Sequence, residues 1–180
     1  LPGLQLNQAY RYADDVDDLL EKNLEYAFDE QWGYLTSCPT NVGTGMRASV
    51  MLHLPALTMT NQKGTVFNNI AQLGLTVRGL YGEGTEALGN FYQVSNQITL
   101  GQTEEDIINN LWTVTLHVLD QERNTRKRLQ EEMKHQLEDK VWRSYGLLTH
   151  ARVITSNEVL ALLSDVALGV DLKILPPIPR

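Results

Sequence analysis

Apolar residues recur at helical spacing over residues 12–29, where Val16, Leu19, Leu20, Leu24 and Ala27 share one side and acidic residues the other. Gly33 follows that helix, and Tyr34-Leu35-Thr36-Ser37 has strand propensity. A second strand is predicted over 48–54, stopped by Pro55, then a helix over 65–73 ended by Gly74. Leu75-Thr76-Val77-Arg78 begins a third strand and 91–100 contains a fourth. Between them, residues 79–89 carry four glycines and read as a mobile loop. Thr103, with Asp106 three places on, announces a helix start. Its buried stripe is Ile107, Ile108, Leu111, Val114, Val118 and Leu119. From Asp120 to Lys140 the pattern turns polar and mixed in charge, which predicts a solvated helical connector. Residues 141–172 return to apolar helical spacing behind a cap at Ser156 or Asn157, and the proline-rich 175–180 cannot be helical. Strand and helix thus alternate over the first 100 residues, and the last 80 are helical. The fold class is α+β.

Composition narrows the function. With 180 residues, 42% hydrophobic and 21% charged, the chain has the make-up of a globular domain with a core. A net charge of −7 argues against general binding to nucleic acid or membrane surfaces, which needs broad positive patches. No apolar run approaches the roughly 20 residues of a membrane span. A single cysteine allows no internal disulfide, which suits a reducing cytoplasm. The start at Leu1-Pro2-Gly3, without methionine, suggests a processed or excised chain.

Against this acidic background, residues 31–82 contain no Asp or Glu, only Arg47, Lys63 and Arg78 as formal charges. Inside that interval lies Cys38-Pro39-Thr40-Asn41-Val42-Gly43-Thr44-Gly45-Met46-Arg47. Cys38 is either a small buried hydrophobe or a functional thiol, which Ser37 and Thr40 are placed to serve by hydrogen bonds. A thiolate there would act as a nucleophile or as a fixed negative charge beside a cationic substrate. The four histidines, His53, His117, His135 and His150, have no local signature tying them to Cys38; His53 reads as strand and His117 as helix. Gly43 and Gly45 would let backbone amides approach an anion that Arg47 neutralises. Arg78 repeats the arrangement, so a polyphosphate is one reading and surface arginines beside turns the other. No Walker ending follows and no metal-binding cluster is indicated. Glu83, between Gly82 and Gly84, is a carboxylate able to hold a cationic group or accept its proton.

The run Tyr34-Leu-Thr-Ser-Cys-Pro-Thr-Asn-Val-Gly-Thr-Gly-Met-Arg-Ala-Ser-Val resembles the cysteine signature of the ATP:guanidino phosphotransferases, the creatine and arginine kinase family. Arg78 through Glu83, Val94-Ser95-Asn96 and Leu100-Gly101 continue the family order. Leu80-Tyr-Gly-Glu-Gly, Gln93-Val-Ser-Asn-Gln-Ile-Thr-Leu-Gly and Arg143-Ser-Tyr-Gly are similar to its protein-arginine kinase branch, which phosphorylates arginine side chains in proteins. The resemblance implies part of the family's antiparallel sheet with flanking helices, followed by a helical segment. It divides the chain into 1–125, the later part of the phosphotransferase domain, and 126–180, part of a helical C-terminal domain. It implies Cys38 as the active-site cysteine that orients the guanidinium, and Glu83 as the carboxylate on it. It assigns nucleotide binding to Arg47, Ala48, Ser49, Val50 and Met51, and to Arg78, Gly79, Leu80, Tyr81, Gly82 and Glu83. ATP with Mg²⁺ is the implied phosphoryl source. The implied partners are arginine-bearing proteins, an activator protein, Clp protease machinery that degrades the marked proteins, and a second copy in a homodimer. The family's earlier catalytic carboxylate and further arginines have no counterpart here, so the chain alone is expected to be inactive. A non-catalytic interaction or dimerisation module and a small-molecule arginine kinase are the competing readings.

Overall fold

The computed structural model describes residues 1–79 and 87–177. Helix α1 spans Leu6–Glu21, and strands β1 (Phe28–Asp29) and β2 (Gly33–Tyr34) pair antiparallel, Phe28 opposite Tyr34. Strand β3 is Ser49–His53, followed at once by helix α2, Pro55–Met59, and by α3, Lys63–Gln72. Strands β4 (Leu75–Gly79) and β5 (Phe91–Asn96) complete a three-stranded sheet in the order β3-β5-β4. Three helices close the chain: α4 (Glu104–Glu132), α5 (Lys134–His150) and α6 (Ser156–Asp171). The α+β class and the helical last stretch agree with the sequence.

Several boundaries differ from expectation for local reasons. The first helix lies at 6–21 rather than 12–29, because residues 6–11 contain no helix breaker and residues 28–34 are drawn into the β1–β2 hairpin. Its apolar residues Val16, Leu19 and Leu20 are exposed; Leu6 is the one it buries. The strand predicted at 34–37 contracts to Gly33–Tyr34, since Pro39, which has no N–H, opens a 3₁₀ turn over Pro39–Asn41. Pro55 does stop β3, but it also opens α2 at a position where a missing N–H costs nothing. The cap of α6 is Thr155, one residue earlier than expected: its backbone is extended and its side chain accepts from the Glu158 N–H. At α4 the predicted box is present, with Thr103 Oγ1 accepting from the Asp106 N–H at 3.1 Å and Asp106 Oδ2 accepting from the Thr103 N–H at 3.1 Å.

The described chain forms two compact units. The first comprises Leu1–Val50, Asn69–Val77 and Val94–Leu116, with Ile70, Leu75, Val94, Ile107, Ile108 and Leu111 in its core. The second comprises Met51–Asn68, Arg78–Gln93 and His117–Arg180. A buried cluster there joins Ala56 of α2, Leu129 of α4, Leu137 and Val141 of α5, and Val166 and Leu168 of α6. At the α5–α6 crossing a Cβ on Gly169 would collide with the Val141 side chain, so the small residue sets how closely the helices meet.

The polar stretch of α4 is not simply solvated. Glu122 is 2% exposed, and its carboxylate accepts from the Ala56 and Leu57 N–H groups at 3.0 and 2.9 Å. Those N–H groups belong to the first turn of α2, which has no acceptor of its own for them. Arg126 bridges Glu122 at 2.8 Å and Asp171 at 3.0 Å. One face of the presumed connector is therefore a buried strut.

Candidate functional site

The cysteine loop is built within the first unit. Pro39 sets a turn in which the Asn41 N–H returns to the Cys38 carbonyl at 2.9 Å, leaving the Cys38 side chain exposed. Cys38 Sγ lies 3.1 Å from Thr40 Oγ1, while Thr36 Oγ1 donates to the Cys38 carbonyl at 2.7 Å. The Thr40 hydroxyl, and then the Thr40 backbone N–H, stabilise the thiolate and hold the Cys38 pKa below its ordinary value. Cys38 is thus not the buried hydrophobe. Thr40, rather than Ser37, is the hydrogen-bonding partner recorded at its sulfur.

The loop is anchored from the far end of β5. Thr99 Oγ1 lies 2.8 Å from each of the Thr40 and Val42 carbonyls, and its single proton is shared between them. Asn96 accepts from the Ala48 N–H at 2.8 Å and donates to the Met46 carbonyl at 3.1 Å, holding the chain on both sides of Arg47. Arg47 donates from Nη2 to Ser95 Oγ at 3.2 Å and is otherwise exposed. Ser95 itself is fully buried, so the guanidinium is fixed at one corner and presented to solvent.

The glycines have a different first duty from the one expected. Gly43 has φ of 111°, and a Cβ there would stand 2.6 Å from the Thr99 carbonyl oxygen. A Cβ on Gly33 would stand 2.5 Å from the Gly43 oxygen. Three backbone segments meet here at distances only glycine permits. That close approach brings residues 38–47 against 95–100.

The other nucleotide candidates divide. Ala48 leads into β3, on which Ser49 and Met51 are exposed, Val50 is half-buried and Leu52 turns inward. Arg78 and Gly79 end β4 in the second unit and are half-buried. Leu80, Tyr81, Gly82 and Glu83 lie outside the described residues, as does most of the loop expected at 79–89. Cys38 and Arg47 therefore share one hydrogen-bonded frame. Of the supporting residues, Thr40 is the one the sequence already places at the thiol; Ser95, Asn96 and Thr99 have no chemical role in it, and a Ser-Asn pair buried at a strand end is the signal that points to them. Among the described residues no group of three or more His, Cys, Asp or Glu is placed to hold a metal ion. No helix among them is long and apolar enough to cross a membrane.

His53 and His117 sit as read, on β3 and α4. Burial, and then the Arg126 charge, hold the His53 pKa below its ordinary value.

Two family models match separate parts of the chain. Residues 134–180 match the protein-arginine kinase McsB C-terminal domain. A protein-arginine kinase of Syntrophomonas wolfei is 66% identical over 99% of this chain, and one of Desulforamulus reducens is 62% identical over 99%. In both cases the chain spans 50% of the relative's length. Among solved structures, a duplicated taurocyamine kinase from Schistosoma mansoni, with bound transition-state analogue components, is 34% identical with a TM-score of 0.57. That match covers 64% of this chain and 16% of the other. A lombricine kinase is 31% identical with a TM-score of 0.54, covering 64% of this chain and 31% of the other. Residues 1–125, more than two thirds of the sequence, match the C-terminal catalytic domain of the ATP:guanido phosphotransferases, and the chain belongs to that family.

Proposed function

We propose that this chain is part of a protein-arginine kinase, which transfers the γ-phosphoryl group of ATP to arginine side chains of proteins. The observation that carries the proposal is the frame joining an exposed, thiolate-favouring Cys38 to a solvent-presented Arg47. A fixed negative charge suits a guanidinium, and a tethered arginine suits phosphate. The relatives named protein-arginine kinase are far more similar to this chain than the taurocyamine and lombricine kinases, which favours a protein substrate over a small guanidino compound.

In the proposed reaction a guanidinium nitrogen forms the new N–P bond as the bond from the γ-phosphorus to the ADP oxygen breaks. The departing proton goes to a carboxylate, the role given to Glu83, because a protonated guanidinium is a poor nucleophile. Cys38 makes no covalent bond; its thiolate orients the guanidinium. Arg47 and Arg78, with the segments 47–51 and 78–83, hold the phosphates as charge moves onto the leaving oxygen. Mg²⁺ would be held chiefly by those phosphates and by water, which needs no carboxylate cage in the protein.

The division into a catalytic part, 1–125, and a helical part, 126–180, belongs to the same proposal and is supported by where the two family matches fall. So do a cytoplasmic setting, recognition of the marked proteins by Clp protease machinery, an activator protein and a homodimer. Because the chain spans half the length of its relatives, the activity is proposed for the longer protein, and these 180 residues alone are expected not to turn over. The test is ATP-dependent phosphorylation by the longer protein of an arginine-rich protein and of free arginine. Phosphoarginine on the free amino acid alone would overturn the protein-kinase reading, and undiminished transfer by both Cys38→Ala and Glu83→Ala would remove the proposed site.

A further inference from the structure

Within the second unit, three segments meet on one hydroxyl. Ser164 lies in the middle of α6, 2% exposed. Its Oγ is 2.8 Å from His53 Nε2, on the last residue of β3, and accepts from Asn90 Nδ2 at 2.7 Å. Asn90 closes the 3₁₀ turn Leu88–Asn90 that leads directly into β5. The same turn receives the Leu54 N–H on the Asn90 carbonyl at 2.9 Å, so the end of β3 is held to it by backbone as well as side chain. Phe91 stacks on the His53 ring with centroids 4.8 Å apart.

The turn is also pressed against α6 by its backbone. Gly89 has φ of 63°, and a Cβ there would stand 2.8 Å from the Leu160 carbonyl oxygen, one turn before Ser164. Asn90, at φ of 59°, is itself in the left-handed region that few side chains tolerate. Two successive left-handed residues are held where α6 can be touched closely and Ser164 reached. Such a conformation persists only where its surroundings determine it.

We propose that Ser164 is a positioning residue through which the helical C-terminal part sets the presentation of the nucleotide-binding strand. β3 is five residues long, and the three that precede Leu52 and His53 are Ser49, Val50 and Met51, the segment to which nucleotide binding is assigned. Met51 and His53 lie two residues apart on β3 within the same unit, so a shift at His53 is passed to Met51 through the backbone. Ser164 lies within the match to the protein-arginine kinase C-terminal domain, whereas His53 and Asn90 lie within the match to the catalytic domain. One buried hydroxyl therefore joins the part that marks this branch to the strand used for ATP. This inference rests on the kinase reading for the meaning of Ser49–Met51.

The experiment compares the longer protein with its Ser164→Ala, Ser164→Thr and Asn90→Gly variants. Removing the hydroxyl leaves His53 and Asn90 without their shared partner. The expected result is a rise of about threefold to tenfold in the KM for ATP, with a much smaller change in the KM for the arginine substrate. Ser164→Thr, which keeps the hydroxyl, is expected to restore the parent value. Asn90→Gly keeps the left-handed tolerance but removes the side-chain donor to Ser164 Oγ, and is expected to reproduce the Ser164→Ala change if that variant does not fold. Circular dichroism fixes the folded fraction, and calorimetric titration with ATP reads nucleotide affinity without turnover. Absence of phosphoryl transfer by the parent would count against the kinase reading. Equal ATP dissociation constants for the parent and the folded variants would overturn the positioning role, as would apparent constants that rise only by the reciprocal of the folded fraction.

Discussion

Replacing Glu122 with glutamine tests whether the buried strut of α4 stabilises the second unit. The carboxylate takes three donors: the Ala56 N–H and Arg126 Nε on Oε1, and the Leu57 N–H on Oε2. Glutamine has one carbonyl oxygen and one amide nitrogen, so an N–H group of α2 comes to face another donor. An orphaned buried N–H costs about 1–3 kcal/mol, and each remaining bond falls from a charge-assisted to a neutral value, a loss of about 1 kcal/mol. Arg126 keeps Asp171, which limits the penalty on its own charge. The expected destabilisation is about 3 kcal/mol, or a fall in Tm of about 6–12 °C for a chain of this size. Thermal unfolding followed by circular dichroism measures it, with the exposed Glu131→Gln as a control expected to stay within about 0.5 kcal/mol of the parent. A Glu122→Gln variant as stable as that control would refute the claim that the carboxylate caps α2.

Other consequences follow from single contacts. Gly169→Ala should destabilise by about 1–3 kcal/mol through overpacking, and the double variant with Val141→Ala should be more stable than the sum of the two losses predicts, which denaturant titration will show. Thr40→Val should raise the Cys38 thiol pKa, because the hydroxyl is the larger of the two groups stabilising the thiolate; the pH dependence of alkylation by iodoacetamide would show no displacement if that assignment were wrong. His53 has a folded-state pKa below its unfolded value, so the unfolded chain binds more protons between the two. Its contribution to stability is complete above about pH 6.5 and is lost as the pH falls towards the folded-state value. His53→Gln should flatten that part of the pH–stability curve, and an unchanged slope would contradict the assignment.

Much of the outline was legible because it rests on local rules. The Thr103–Asp106 box, the helix before Gly74 and the strands at 49–53 and 75–79 each depend on residues within one or two turns of themselves. The cysteine motif pointed to Cys38 and Arg47 for the same reason: their chemistry and glycine neighbours stand together in sequence. Elements that depend on distant partners were not legible. The extended 12–29 helix was mispredicted because propensity does not reveal that Phe28 pairs with Tyr34. Glu122 was read among solvated charges, although Val118, Glu122, Thr125 and Leu129 lie on one buried stripe. That stripe was a visible warning that one carboxylate faces inward; its purpose was not visible, since the N–H groups it accepts from lie at 56 and 57.

By itself the sequence determined the α+β class, the helical last 80 residues, and the family to which the cysteine run belongs, because spacing, capping and turn chemistry act over a few residues. Only the tertiary structure decided what those residues rest on: Thr40 and not Ser37 at the thiol, Ser95 and Asn96 around Arg47, Glu122 on the start of α2, and Ser164 between His53 and Asn90. Apart from the thiol's close neighbour, these partners are separated by 48 to 111 positions. The hydrogen bond itself is short-ranged and directional, so it becomes readable only when the backbone has brought donor and acceptor within about 3 Å.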